Sequence, residues 1–355
     1  MAYTTIDDPT AYFQTTLYSG TGSQQSITNG GNSDLQPDWL WIKERDATSS
    51  HQLVDSVRGY YLRVESNNTS AELDAGQTGA TYQNVTSFDS DGFGVKNGGA
   101  VNESGKTYVA WNWKAGTSFT NDASATGIGT IDSTGSASTA AGFSIVSYTG
   151  TGSAGTIKHG LSSIPKMIIM KTRSTSNIWS VYHVGLGNTK YMQLNEPDPS
   201  TDNDTYWSDT TPTSSVFSVG TASGVNGNGT TNIAYCFADV QGYSKMGSYT
   251  GNSNADGTYV HLGFKPAFLM VKRDASYRWT MSDNKRIGFN RIIHGLAADS
   301  NAAEQTGAAY GEFDFTANGF KCRSAEDGMN VGNIIYMAFA ENPFTTSSGI
   351  PACAR

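Results

Sequence analysis

Three times along this 355-residue chain, an alternating run, a Gly-rich break and a nearly unbroken apolar run follow one another in the same order. Residues 13–18, Phe143-Ser-Ile-Val-Ser-Tyr148 and residues 243–249 alternate apolar and polar side chains, the period-2 pattern of a strand. A Gly-rich phrase comes next in each case: Tyr18-Ser-Gly-Thr-Gly22, Tyr148-Thr-Gly-Thr-Gly152 and Tyr249-Thr-Gly-Asn252. Pro37, Pro165 and Pro266 then stand just before Trp39-Leu-Trp-Ile-Lys43, Met167-Ile-Ile-Met-Lys171 and Phe268-Leu-Met-Val-Lys272. Proline fixes φ and donates no ladder bond, so it suits the start of a strand. The apolar runs behind it predict central strands covered on both faces. An asparagine and then an aromatic strand close each unit: Asn102 before Tyr108-Val-Ala-Trp-Asn-Trp113, Asn226 before Ile233-Ala-Tyr-Cys-Phe237, and Asn330 before Ile335-Tyr-Met-Ala-Phe339. Alternation in these closing strands predicts one packed face and one partly open face.

The chain therefore reads as a tandem repeat, with units at 12–116, 143–240 and 243–344. Each unit is near the common domain size. The first and third are most alike: His51 to Asp55 is matched by Trp279 to Asp283, and Arg58 and Arg286 follow three residues later. Both reach an aromatic turn at Phe88 to Phe93 or Phe313 to Phe320, where Gly92 and Gly319 are expected to supply φ > 0. The predicted fold class is all-β, as tandem antiparallel β-sandwich or jelly-roll-like units. Residues 117–142, rich in Gly, Ser, Thr and Ala, read as a linker or extended crossover. Short helices are expected only at 69–79 and 295–310. Residues 1–11 read as a polar N-terminal attachment segment and 345–355 as a C-terminal tail.

Composition supports strands: 40 Gly, 11% aromatic residues and only 15% charged residues. The formal net charge is −8 and no lysine or arginine cluster occurs, so the footprint for a phosphate backbone is missing and no nucleic-acid partner is expected. No run of 18 apolar residues and no signal-like N-terminus occurs, so neither membrane insertion nor export is expected. Cys236, Cys322 and Cys353 lack metal-like spacing, and the first two read as core or half-buried thiols.

Chemistry is hard to find in the residues. Asp55 with Glu72, and Asp283 with Glu304, are the paired carboxylates a glycosidase would need. Their recurrence beside Arg58 and Arg286 favours salt bridges over catalysis. Five histidines are scattered: His159 and His261 fall at nearly equivalent places, with Asn29 near there in the first unit, which suggests a hydrogen-bonding turn residue. No zinc, Cys/His or serine-elbow pattern is present, so no catalytic residue, metal or cofactor is assigned. Asp89 with Asp91, and Asp202 with Asp204, offer oxygen ligands without the full EF-hand spacing, and read as solvated turns. Among seven tryptophans, six fall in the repeat pattern and read as core. Tyr206 and Trp207 do not, and are the candidate ligand-stacking pair.

Thr5-Ile-Asp-Asp-Pro9, residues 51–59, Tyr108-Val-Ala-Trp-Asn-Trp-Lys-Ala-Gly116, Gly242-Tyr-Ser-Lys, Tyr336-Met-Ala-Phe-Ala-Glu341 and Pro351-Ala-Cys-Ala-Arg355 are distinctive phrases. Together they resemble a repeat family of tailed, especially marine, bacteriophage virion proteins that is known as a domain of unknown function. The resemblance spans essentially the whole chain and implies a virion location, assembly in the host cytoplasm and no catalytic residues. The expected function is a non-enzymatic virion structural protein: first a tail fibre or tail-associated host-attachment protein, alternatively a capsid-surface decoration or head-fibre protein. Expected partners are other virion proteins, a host-surface glycan or receptor, and further copies of the chain, a homotrimer by analogy with fibres. The competing class is a carbohydrate-active protein, either a lectin-like module or a polysaccharide depolymerase.

Overall fold

The structure, a computed structural model, describes residues 2–76, 84–307 and 311–351. Each unit contains one large antiparallel sheet with the same strand order. In the first unit it runs Phe13–Ser19, Thr107–Trp113, Trp39–Glu44, Gln52–Asp55, Gly59–Val64, Leu73–Asp74. In the third it runs Ser244–Asn252, Val331–Pro343, Phe264–Arg273, Thr280–Asp283, His294–Ala297, Gln305–Thr306. The second repeats it as Phe143–Thr149, Thr231–Phe237, Met167–Thr172, Trp179–His183, Lys190–Gln193, Thr201–Asp202. The closing strand thus lies between the opening strand and the apolar central strand. A small sheet covers the outer face of each large one, built from Gln25–Thr28, Gly92–Val95 and Val85–Asp89 in unit one, from Gly155–Lys158 and Val216–Val219 in unit two, and from Tyr259–His261, Gly319–Cys322 and Phe313–Thr316 in unit three. The all-β sandwich class is as expected.

The large sheets share a core. Pairing register makes Trp113, Phe237 and Phe339 equivalent, since they oppose Trp39, Met167 and Phe268. All three are buried in one cluster that draws residues from every unit. Phe339 lies 5.7 Å from Trp113 and 6.0 Å from Phe237, ring centre to ring centre. Three further clusters fill the spaces under the small sheets. The closing strands therefore have no open face: residues 108–113 and 232–237 are buried throughout. Alternation foretold two differently lined faces, but the second face meets the other units rather than water.

The Gly-rich phrase starts each unit for a steric reason. A Cβ at Gly20, Gly150 or Gly251 would sit 2.1 Å from Glu103 O, 2.3 Å from Gly227 O or 2.0 Å from the Asn330 carbonyl carbon. The preceding tyrosine ties down the one-turn helix ahead of the closing strand: the hydroxyls of Tyr18, Tyr148 and Tyr249 donate to the carbonyls of Val101, Val225 and Met329. The closing asparagine completes the tie. Asn226 Oδ1 accepts from Thr151 N (2.8 Å), while its amide donates to Ser153 O (2.7 Å) and Gly220 O (2.8 Å). Asn102 and Asn330 repeat the first two contacts. Asn226 is fully buried, so Asn226→Ala leaves buried backbone groups unpaired and should destabilise by about 2–3 kcal/mol, measured by denaturant unfolding.

Other expectations need correction. Residues 117–142 are not a linker: Thr117–Asn121 and Ser133–Ser138 pair with each other, and the latter pairs with Phe143–Thr149, extending the second sheet to eight strands. Small polar residues read as flexible, yet the register with an existing strand orders them. The expected helices do not form where described: these segments hold the short strands Leu73–Asp74, His294–Ala297 and Gln305–Thr306 with turns and irregular chain between, and residues 77–79 and 308–310 lie outside the described residues. Gly92 takes φ 124°, but Gly319 is not left-handed. What they share is close approach, a Cβ meeting Ile27 O at 1.9 Å or Val260 O at 2.1 Å. The N-terminal segment is docked on the third unit: Ile6 joins the common core, Tyr3 donates to Gly263 O (2.7 Å) and Thr4 to Gln241 O (2.8 Å). The tail is held to it where described, through Ser347 N to Asp7 Oδ1 at 2.6 Å, while Cys353 lies outside the described residues.

Candidate functional site

The recurring polar residues meet where one unit touches the next. His51, Trp179 and Trp279 stand at the entry to the equivalent strand of each unit, and each directs a ring nitrogen to a backbone carbonyl of another unit. Trp179 Nε1 donates to Glu65 O (2.9 Å), Trp279 Nε1 to Gln193 O (2.8 Å), and His51 Nε2 lies 3.0 Å from Ala297 O. Register places the acceptors at one repeat position: Leu53 pairs with Val64, Val181 with Met192, and Met281 with Leu296, and each acceptor follows next in sequence. The contacts run from unit two to one, three to two and one to three, so the units close a ring. The ring nitrogen has a carbonyl to satisfy at each junction, which explains why only N–H-bearing rings occupy the position.

Two junctions carry buried ion clasps. At the first, Asp55 Oδ2 accepts from Arg58 Nε at 2.5 Å and from the Tyr235 hydroxyl of unit two at 2.8 Å. Arg58 also donates to Glu72 (2.8 Å), and Arg173 of unit two grips the same carboxylate through Nε (2.9 Å) and a terminal nitrogen (2.8 Å). The second clasp repeats this: Arg286 binds Asp283 (2.6 Å) and Glu304 (3.3 Å), Trp111 of unit one donates to Asp283 (3.2 Å), and Arg45 of unit one grips Glu304 (2.9 and 3.0 Å). His294 Nδ1 adds a contact to Glu304 at 2.6 Å. Burial opposes the Arg58 charge, but Asp55 and Glu72 hold it protonated, and its pKa ends raised. Burial likewise pushes Glu72 and Glu304 up, and the arginines around them outweigh it, so both carboxylates end lowered.

The third junction lacks the clasp. His183, Leu186 and Ser200 stand where the others have Asp, Arg and Glu, and Met337 stands where they have Tyr235 or Trp111. His183 Nε2 reaches Tyr336 O (3.1 Å), and Asp274 of unit three accepts from Ser200 N (2.9 Å). The expected carboxylate pairs are thus brought together, but on an arginine and at a unit boundary. Neither aspartate side chain reaches solvent. Sequence reasoning missed Arg45, Arg173, Trp111 and Tyr235 as partners. A signal existed: Arg45 and Arg173 each stand two residues beyond a repeat lysine, where unit three has Asp274.

Those lysines, Lys43, Lys171 and Lys272, are fully buried. Burial lowers each ammonium to about 8. All three donate to loop carbonyls, such as Lys171 Nζ to Asn177 O (2.7 Å) and Lys272 Nζ to Ala275 O (2.8 Å), which marks them as loop anchors. His159 matches Asn29, and both contact a loop carbonyl, Thr213 O (3.1 Å) ahead of Val216–Val219 or Leu35 O (2.9 Å). His261 is one position off and exposed, because it pairs with Gly319 as Thr28 pairs with Gly92. Burial pushes the Cys236 thiol to about 12 and Cys322 to about 11, as expected of core thiols.

Tyr206 and Trp207 do not form an open stacking pair. They lie in the single turn Asp204–Trp207; Trp207 is 2% exposed, and Tyr191 covers one face of Tyr206 at 3.5 Å. Their irregular sequence position reflects this turn, which stands where the other units have the strands Val85–Asp89 and Phe313–Thr316 and packs into the unit-two core. Asp91 Oδ1 accepts from Leu35 N (3.1 Å), a turn role. Among the described residues no group of three or more His, Cys, Asp or Glu is arranged to hold a metal. Open aromatic material lies elsewhere: Tyr60, Tyr61 and Asp74 line a cavity of about 420 Å³, and Phe289, 69% exposed, borders one of about 650 Å³ with Lys265, Lys285 and Asn290.

Residues 8–343 match the family described as Domain of unknown function (DUF7483). The chain belongs to that family. The match spans all three units, which share one hydrophobic core. No curated protein and no solved structure matches the chain.

Proposed function

We propose that this chain is a non-enzymatic structural protein of a tailed-phage particle, displayed on its surface, with host attachment as a tail fibre or tail-associated protein the favoured role. The observation that carries the non-enzymatic part is the use of the recurring carboxylates, arginines and histidines: they join units instead of facing a cleft. The virion part rests on the resemblance of the repeat phrases. Other virion proteins, a host-surface glycan or receptor, and a homotrimer are the proposed partners. Antibody raised against the pure protein should label intact particles, and the position of the label separates tail from head. Particles that carry no label would sink the reading. Sedimentation tests the trimer, and a single species of 37.8 kDa would remove it.

A carbohydrate-active protein is the second reading, favoured by one observation, the paired exposure of Tyr60 (39%) and Tyr61 (42%) beside Asp74. Aromatic faces with polar neighbours suit sugar rings. Incubation with host capsule or lipopolysaccharide decides: released oligosaccharide overturns the non-enzymatic proposal, whereas binding without release keeps it and names the receptor class.

A further inference from the structure

The repeat shows how each large sheet treats the free edge of its opening strand. In unit two, Phe143–Thr149 is covered by Ser133–Ser138, with Ile145 opposite Ser136 and Ser147 opposite Thr134. In unit three, the opening strand is blocked by the chain that leads into it: Val240 and Ser244 exchange backbone bonds (3.1 and 2.9 Å), and Asp239 Oδ1 takes the Met246 N–H (2.8 Å). Unit one has neither cover. Lys114 N donates to Tyr12 O and Gly20 N to Lys106 O, so even-numbered residues of Phe13–Ser19 bond the closing strand. By the alternation of antiparallel pairing, the backbone groups of Phe13, Thr15 and Leu17 point outward. None of these has a backbone partner at that edge among the described residues.

This edge is also undefended. Sheets usually blunt an open edge with a charge, a proline, a bulge or a very short strand. Phe13–Ser19 has seven residues, no charge, no proline and no register shift. The opposite ends of the large sheets show the usual device, each finishing on a two-residue strand. Leu17 is 38% exposed where units two and three have Ser147 and Ser248. The Thr15 hydroxyl is buried without a partner. Both residues line a cavity of about 330 Å³ whose other walls include Gly30, Gly31, Ala267 and Ala340, with Lys285 and Glu341 also at its lining.

We propose that this groove, between the first and third units, is a strand-addition site that accepts one extended segment of a partner polypeptide with small side chains. The occupant of the equivalent edge sets its chemistry: Ser133-Thr-Gly-Ser-Ala-Ser138, in which a Cβ at Gly135 would stand 2.2 Å from Ile145 O. Main-chain bonds to Thr15 and Leu17 supply the attraction, and small side chains like those of that segment fit a recessed edge. The edge is recessed, with Thr15 only 7% exposed and residues of two units lining the cavity beside it, which favours entry of a lone strand over a second copy's whole sheet. The inference does not depend on the virion reading.

The test is residue-resolved amide hydrogen exchange on the full chain, with and without a synthetic peptide copying residues 132–139. Alone, Thr15 and Leu17 amides should exchange freely; with saturating peptide they should slow about tenfold or more. Leu17→Pro, which removes an outward N–H and no bond to the closing strand, should abolish the slowing. A peptide N-methylated at the residue copying Ser136 should fail on the unaltered protein, so the proposal does not hang on that variant folding. Three results overturn it: no slowing at saturating peptide, protection already present at every protein concentration, or protection that grows with protein concentration, which would assign the edge to a second copy.

Discussion

Arg58→Met is expected to destabilise the protein by about 3–5 kcal/mol, the usual cost of removing one partner from a buried ion pair. Asp55 would lose its 2.5 Å partner with no access to water, and Glu72 would keep only Arg173. Arg286→Met should behave alike at the second clasp, tempered by His294 and Arg45 on Glu304. The third junction shows that a clasp is not needed to join units. Transplanting its residues into the first, as Asp55→His, Arg58→Leu, Glu72→Ser, Arg173→Asp and Tyr235→Met together, should therefore cost less than Arg58→Met alone. Denaturant unfolding of the three proteins measures this. A transplant worse than the single change would mean that the clasp adds net stability rather than merely avoiding a bare charge.

Acid should weaken the protein well above the carboxylate range. Burial pushes His51 down to about 3, and His159 and His183 to about 4, against 6.5 for an exposed imidazole. All three are fully buried and held neutral. Between pH 6.5 and these values the unfolded chain binds more protons than the folded one, so stability falls as pH falls. Each histidine contributes a loss of about 2 kcal/mol by pH 5, or about 6 kcal/mol for the three. Burial raises the carboxyls of Asp38, Asp239 and Asp299, which act in the opposite sense as the pH falls toward the carboxylate range. The melting temperature should thus drop from pH 7 to pH 5. His159→Asn, which installs the residue that unit one uses at that place, should remove about a third of the drop if the three act alike. A melting temperature flat over that interval would refute the argument.

The lysines act with the same sign at the alkaline end. With folded values near 8 against 10.5, Lys43, Lys171 and Lys272 make stability rise with pH above 8, until the buried thiols and tyrosines begin to oppose it above about 9.

Much of this was legible in the chain itself. Period-2 runs, proline positions and the thrice-used Tyr-x-Gly phrase determined the all-β class, the three units and the buried central strands, because these depend on local steric rules and on what one unit must bury. The recurrence of Asp55 with Arg58 and of Asp283 with Arg286 even foretold salt bridges, since a three-residue spacing suffices to form them. Composition misled where pairing decides order: Ser133–Ser138 looks like linker until Phe143–Thr149 offers it a ladder. It misled again at Trp207, whose irregular place in the repeat says nothing of its burial.

Only the tertiary structure decided what the second face of each large sheet meets. Trp113, Phe237 and Phe339 are apolar on any reading, but whether they face solvent, a partner chain or one another depends on contacts between residues more than a hundred positions apart. The same holds for Arg173 on Glu72 and Arg45 on Glu304, and for the uncovered edge at Thr15 and Leu17. Local pattern specifies what a strand needs to bury, whereas long-range packing selects which neighbour buries it.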